Sequence, residues 1–277
     1  MHLSPKRKAW AEKLRRWEKG QTEEFAKVFL GPPQKITLLK AIPKVGVVVI
    51  MGDIRKGKSG LGYEIMDMVH QRRGMGGAVF LPMIAEDKTM QRRVKKLLPS
   101  WAEVVTERDK LPKHACILVD EAAEVAHVRR TQSEDSVDLD NFVGIAGQRE
   151  QVIIFISHHA RKLDPNLIHA STLLLWKQPT HAHVMFERDE MQRFTRRAVE
   201  VFSELTPKQA LKTTYMMDLH KLRFCTFTNG LPDWWTQELS CIFQDIQGVK
   251  NGKSEDAKKK KEGNGSGKRS SRNSKGK

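Results

Sequence analysis

Residues 52–59 read G-D-I-R-K-G-K-S, a full match to the phosphate-binding loop pattern G-x-x-x-x-G-K-[ST]. The β-branched run V-G-V-V-V-I-M at 45–51 comes directly before the loop and predicts a buried strand. Residues 60–73 follow it, and we expect them to be helical from about Tyr63. A strand, a phosphate loop and a helix in this order require an α/β fold with the loop at the carboxyl edge of a sheet.

The residue types in the loop suit ATP and Mg²⁺ as cofactors. Gly52 and Gly57 permit a tight backbone path along which successive N–H groups point at one anion. The amino end of the following helix adds a partial positive charge at the same place. Lys58 is expected to reach the β- and γ-phosphates and to assist catalysis, and the Ser59 hydroxyl to ligate Mg²⁺. The predicted nucleotide-binding residues are Gly52, Asp53, Ile54, Arg55, Lys56, Gly57, Lys58, Ser59 and Gly60.

A second acidic motif lies downstream, where residues 116–121 read C-I-L-V-D-E. A buried strand that ends in two acids places both carboxylates beside the phosphate loop. Asp120 is predicted to hold Mg²⁺ through water, and Glu121 to orient or deprotonate the attacking water. Glu124 is the alternative base, and a strand that ends in a solvated acidic loop is the structural alternative.

A polar tip ends the fourth predicted strand, where Ser157 is followed by His158 and His159. We expect Ser157 or His158 to contact the γ-phosphate or the attacking water; the alternative for the two histidines is a loop surface. No zinc site is expected, since the other histidines, His181 and His183 among them, lack a ligand pattern.

Arg149 precedes the same strand and is therefore expected at the opposite edge of the sheet from its own phosphates. In a ring it would reach the γ-phosphate of a neighbouring subunit as an arginine finger. The alternative is a solvated arginine at a helix end. Arg129, Arg130 and Arg161 are rival candidates for the finger.

Charge is concentrated at the two ends of the chain. The net charge is +16, of which residues 1–20 carry +5 and residues 249–277 carry +8. Basic ends suit nucleic acid, another anionic surface or solubility alone. The longest apolar stretch is far shorter than a membrane span, and no signal peptide is visible. Cys116, Cys225 and Cys241 are widely spaced, which favours reduced, buried thiols in a cytoplasmic protein.

Apolar strands alternate with helical patterns along the middle of the chain, which predicts a mainly parallel sheet covered by helices on both faces. Residues 213–230 resemble a hairpin. The predicted strands are 45–51, 78–82, 116–119, 152–157 and 172–176, and the predicted helices are 60–73, 87–98, 138–149 and 187–204. We expect a basic helical appendage at 1–33, an ATPase domain at 34–247 and a disordered Lys-rich tail at 248–277.

Residues 45–178 resemble the FtsK/HerA superfamily of DNA-pumping ATPases, which includes virus genome-packaging ATPases. The phosphate loop is followed by I-L-V-D-E-A-A-E, by an arginine, and by a short strand with a polar tip and a Leu-Asp-Pro turn. Arg149, Ser157-His158 and Leu163-Asp164-Pro165 fill these places. The resemblance implies a P-loop fold of the RecA/ASCE type. The zonula occludens toxin-like ATPases of filamentous phages share the same plan and remain an alternative.

The motifs are compatible with several function classes to different degrees. The first is a motor that drives double-stranded DNA through a homo-oligomeric ring, expected to be a hexamer, with a capsid or membrane assembly protein as a further partner. If the motor is encoded by a virus, we expect it in the host cytoplasm or in the virion. A small-molecule kinase would need an arginine-rich lid, for which residues 192–197 are the sole candidate. A GTPase would need an Asn that residues 161–164 lack, and the intact Lys58 and Ser59 argue against a non-enzymatic DNA-binding module.

Overall fold

The computed structural model describes residues 34–35, 37–120, 144, 146–158, 165–218, 220–221, 223–239 and 242. The strands in this part of the chain are β1 (Gln34–Lys35), β2 (Gly46–Met51), β3 (Gly76–Phe80), β4 (Ala102–Val105), β5 (Ala115–Val119), β6 (Val152–Ser157), β7 (Ser171–Trp176), β8 (Thr213–Asp218) and β9 (Arg223–Thr228). The α-helices are α1 (Leu38–Ala41), α2 (Lys58–Arg73), α3 (Lys88–Leu97), α4 (Pro165–Ala170), α5 (His181–Phe186), α6 (Asp189–Ser203) and α7 (Pro207–Lys212).

All of these strands belong to one sheet, in the order β1-β9-β8-β7-β2-β6-β5-β3-β4. The pairs from β7 through β4 are parallel, and β8 is antiparallel to both β7 and β9. Strand β6 therefore lies between β2, which leads into the phosphate loop, and β5, which leads into the acidic motif. The prediction of a mainly parallel α/β sheet with a C-terminal hairpin is confirmed.

Strand β2 supplies side chains to both faces of the sheet. Val47, Val49 and Met51 join one apolar cluster, whereas Val48 and Ile50 join the other. This split follows from the two-residue period of a strand. Because both faces are covered, the strand reads as a continuous apolar run rather than an alternating one. The core thus holds the start of the phosphate loop rigidly from both sides.

Helix α2 packs very closely on the sheet beneath it. A Cβ placed on Gly62 would lie 2.7 Å from a Leu118 methyl and 3.1 Å from one of Ile156. Leu61 and Ile65 lie one turn apart, as expected for one face of a helix, and are fully buried. Glycine at 62 therefore lets the helix approach strands β5 and β6, which brings its amino end to the ends of those strands.

Several boundaries differ from the predicted ones. Helix α2 begins at Lys58 rather than near Tyr63. Gly60 and Gly62 have low helix propensity, which is why the sequence predicts a later start, but in the fold they allow close packing. The second predicted strand is Gly76–Phe80, and Pro82 begins a 3₁₀ turn instead of ending a strand. Strand β4 was missed, because four residues are too few for a clear alternation.

Some predictions concern residues outside the described part of the chain. They are the appendage at 1–33, the tail at 248–277 and most of the helix at 138–149. Two of the three cysteines are described: Cys116 and Cys225 are free and buried, as predicted, and burial raises the pKa of the Cys116 thiol to about 12. Within the described residues, no helix has the length and apolar character needed to cross a bilayer.

Candidate nucleotide-binding site

The phosphate loop leaves β2 with a backbone that is held against the segment after β7. The Lys177 N–H donates to the Met51 carbonyl at 2.8 Å, and the Asp53 N–H donates to the Gln178 carbonyl at 3.1 Å. Gly52 has φ of 142°, and a Cβ there would lie 2.5 Å from the Lys177 carbonyl oxygen. Both the conformation and the close approach therefore require glycine at 52.

The loop ends at the amino end of α2, where Gly57 adopts a left-handed conformation with φ of 82°. Arg55 is also left-handed, with φ of 59°, although it carries a side chain. Among the loop residues, Ile54 and Arg55 are exposed, whereas Lys58 is buried. The loop thus presents backbone groups and the positive end of a sixteen-residue helix at one point.

Lys58 points back into the loop and across to the tip of β6. Its side chain is only 5% exposed. The Nζ atom donates to the Asp53 carbonyl at 2.7 Å and lies 2.8 Å from Nδ1 of His158. A charged ammonium can only donate, so Nδ1 of His158 is the acceptor in this contact. The predicted lysine and the predicted histidine are therefore brought together by the fold.

His158 is in turn fixed by His183, for which the sequence predicts no role in the site. His183 is buried at the start of α5, and its Nε2 donates to the His158 carbonyl at 3.0 Å. Its Nδ1 lies 2.8 Å from the Thr180 hydroxyl, which donates to it. Burial is the largest effect on His183; it lowers the pKa of the ring and favours its neutral form. The two hydrogen bonds then select the tautomer that carries its proton on Nε2. His183 thus positions the β6 tip. The only sequence signal for this role is the spacing of His183 three residues after Thr180, which is typical of a helix start.

Asp120 and Ser59 are the described residues that could hold a magnesium ion together with a nucleotide. Asp120 directly follows β5 and is 4% exposed, and Ser59 is half-buried in the first turn of α2. Burial and then the charge of Asp120 hold the pKa of Tyr63 well above its usual range. Tyr63 lies one turn after Ser59, so Asp120 acts on the same part of the helix. A carboxylate and a hydroxyl, with phosphate oxygens, are ligands that Mg²⁺ prefers.

The remaining predicted catalytic residues lie in different places. Ser157 is buried at the last position of β6, opposite Met51 of β2 in the sheet register. Arg149 lies before the amino end of β6, away from the phosphate loop, and its guanidinium donates to the Leu111 carbonyl at 2.9 Å. Glu121 and the rival residues Glu124, Arg129, Arg130 and Arg161 lie outside the described part of the chain.

A second lysine behind the loop was not foreseen. Lys177 follows β7 directly and is fully buried. Its Nζ donates to the Leu211 carbonyl at 2.8 Å, the Thr213 carbonyl at 2.8 Å and Oδ1 of Asn229 at 2.7 Å. Burial lowers the pKa of this ammonium group to about 7, and the nearby carboxylate of Glu64 opposes that shift. Lys177 therefore links the phosphate loop to the C-terminal hairpin.

A parallel sheet with a phosphate loop after one strand, an acid after another and a polar-tipped strand between them is the fold of P-loop NTPases of the RecA/ASCE type. The solved structures that this chain resembles include the DNA-packaging ATPase B204 of Sulfolobus Turreted Icosahedral Virus. The identity is 13% and the TM-score 0.48, over 68% of this chain and 98% of that one.

Two further solved structures are similar in the same way. The genome packaging NTPase B204 of Sulfolobus turreted icosahedral virus 2, in complex with sulfate, has 12% identity and a TM-score of 0.49, over 68% of this chain and 98% of its own. The pCW3 conjugation coupling protein TcpA has 11% identity and a TM-score of 0.42, over 73% of this chain and 65% of its own. No protein-family model and no curated protein matches the sequence.

Proposed function

We propose that this chain is an ATP-hydrolysing motor that translocates or packages double-stranded DNA as a homo-oligomeric ring. The observation that supports ATPase activity is the contact between Nζ of Lys58 and Nδ1 of His158, at 2.8 Å, beside the glycine-bounded phosphate loop. Asp120 directly follows β5, the next strand along the same edge. A cation, a polar strand tip and a carboxylate are the groups that phosphoryl transfer to water requires.

The proposed chemistry assigns a separate task to each residue. Residues 52–60 hold the phosphates through backbone N–H groups other than that of Asp53, which donates to Gln178. Lys58 neutralises charge that develops on the γ-phosphate. Asp120 and Ser59 would hold Mg²⁺, which would neutralise the negative charge of the phosphates. His158 presents its Nδ1 to the lysine, so it is suited to fix where the ammonium points. Glu121, the next residue after Asp120, is proposed as the base for the attacking water.

The DNA part of the proposal comes from charge and from the sequence resemblance. Residues 249–277 carry eleven lysines and arginines against three acids, and residues 1–20 carry seven against two. Such basic ends attract a polyphosphate backbone without regard to sequence. We place the ATPase domain at 34–247, with the basic segments 1–33 and 248–277 on either side of it.

The test is an ATPase assay with and without long double-stranded DNA, on the full chain and on a chain that lacks residues 248–277. We expect DNA to stimulate hydrolysis. Loss of the tail should weaken DNA binding at low salt and flatten the plot of log affinity against log salt. A small hydroxylated acceptor serves as the alternative substrate. Phosphorylation of that acceptor, with no response to DNA, would favour a kinase instead and overturn the motor.

Particle imaging of the same samples addresses the ring. The proposal expects closed assemblies of identical subunits in the presence of ATP. A protein that hydrolyses ATP at its full rate as a monomer, at concentrations where no assembly is seen, would contradict the ring while leaving the ATPase assignment intact.

A further inference from the structure

Exposed apolar side chains are concentrated at the phosphate loop. The described part of the chain exposes five large apolar side chains, and three of them, Ile54, Leu211 and Leu231, lie in the loop or against it. A Cβ placed on Gly57 would lie 3.6 Å from a Leu211 methyl, and one on Gly60 would lie 2.6 Å from a Leu231 methyl. Leu211 and Leu231 are nevertheless 52% and 51% exposed.

The two leucines lie on one side of the loop, and His158 and Asp120 lie on the other. Strand β2 has β6 as one neighbour and β7 as the other. His158 and Asp120 follow β6 and β5, whereas Leu211 precedes β8 and Leu231 follows β9, beyond β7. A nucleoside triphosphate has the same polarity, with a highly charged phosphate end and a flat apolar base. With its γ-phosphate at Lys58, its base would extend toward the side that carries the two exposed leucines.

We propose that Leu211 and Leu231 form the nucleoside-binding platform, on which the face of the base lies. This inference rests on the proposed ATPase function. The platform would bury the apolar face of a purine and leave the leucines covered, which favours binding by the hydrophobic effect.

The platform is held in place before any ligand binds. Lys177 donates to the Leu211 carbonyl and to the Asn229 side chain, and the Asn229 N–H donates to the Lys212 carbonyl at 2.8 Å. The Gly230 N–H donates to Oε1 of Glu64 on α2 at 2.8 Å. Because these bonds join both leucine-bearing segments to the loop and its helix, little order has to be created on binding. This gives the C-terminal hairpin a role in the site.

The experiment compares two probes, ATP and inorganic tripolyphosphate, each with magnesium, by direct calorimetric titration. Leu211→Ser and Leu231→Ser, singly and together, should weaken ATP binding, with about a tenfold loss in the double variant. They should leave tripolyphosphate binding within about twofold, because that probe has no base. Leu→Met variants at both positions should restore ATP binding, and Met185→Ser removes a still more exposed apolar side chain from α5 as a control.

The outcomes separate the platform from the proposed function. Lys58→Ala should weaken both probes, and a wild type that binds neither would refute the ATPase assignment itself. Equal losses for both probes in the leucine variants, or no loss for ATP, would overturn the platform alone. A change in sedimentation with unaltered ATP affinity would show that the leucines cover a subunit contact, which also overturns it.

A second measurement needs no variant. Photolysis of wild-type protein with 8-azido-ATP should label a peptide within 207–239, and excess ATP should prevent the labelling. Labelling confined to other peptides would contradict the platform.

Discussion

Nζ of Lys58 lies 2.8 Å from Nδ1 of His158, and one hundred positions separate the two residues along the chain. Strand β6 lies directly beside β2 in register, with Ser157 opposite Met51, and so carries the histidine to the phosphate loop. The charge of the loop lysine is therefore oriented by a side chain from the neighbouring strand, and both residues can be tested separately.

Lys58→Ala should lower the rate of ATP hydrolysis by at least about a hundredfold, because a cation opposite developing phosphate charge contributes several kcal/mol in a site that excludes water. Phosphate release is the measurement. Lys44→Ala, an exposed lysine before β2, is the control and should stay at the wild-type rate. Normal turnover in Lys58→Ala would refute the site.

His158→Ala should reduce kcat by about ten- to a hundredfold and change ATP affinity little, because it removes a group that orients Lys58. His158→Asn keeps an acceptor and should recover part of the loss. His181→Ala, an exposed histidine on α5, should behave as wild type. An equal loss in the alanine and asparagine variants would mean that the acceptor is not what matters.

Glu121→Gln should bind ATP normally and hydrolyse it about 10²–10⁴-fold more slowly, because the amide keeps the shape of the side chain but cannot take a proton. Glu124→Gln is the matched comparison three residues later. A larger effect at Glu124 than at Glu121 would reassign the base.

Lys177 should make the free energy of unfolding increase as pH rises between about 7 and 10.5. In this range the unfolded chain holds the lysine proton more firmly than the folded protein, so removing protons favours folding, by at most about 1.4 kcal/mol per pH unit. Below about pH 7 both states are protonated and the contribution is constant. Denaturant unfolding of wild type and Lys177→Met measures the difference, with Lys212→Met as an exposed control. Parallel pH curves for wild type and Lys177→Met would contradict it.

Arg149 should act across a subunit boundary. It lies at the amino edge of the sheet, so its charge cannot serve its own Lys58 and is available to a neighbour. A trans arginine is worth roughly 10³–10⁵ in rate in related chemistry. Arg149→Ala and Lys58→Ala subunits, each inactive alone, should recover activity when mixed. If rings that contain both variants recover no activity, the trans role is wrong and Arg149 has only a structural role, through its hydrogen bond to the Leu111 carbonyl.

The sequence by itself determined the elements that depend on neighbouring residues. Strand β6 runs from Val152 to Ser157 as predicted, because a short, unbroken run of β-branched and apolar residues is typical of a buried strand. The loop glycines, Lys58 and Ser59 were recognisable because their spacing is fixed by the shape of a phosphate. The hairpin of β8 and β9 was recognisable from two apolar runs on either side of a polar turn.

Only the tertiary structure decided which of these elements meet. Placing β6 between β2 and β5 depends on pairing over long distances, which no local pattern encodes, and that placement creates the contact between Lys58 and His158. Lys177 looked like an ordinary lysine after a strand; it is buried because three oxygen acceptors from α7, β8 and the residue after β9 converge on it. Burial of a charge is favourable only where such partners exist, and the fold alone brings them together.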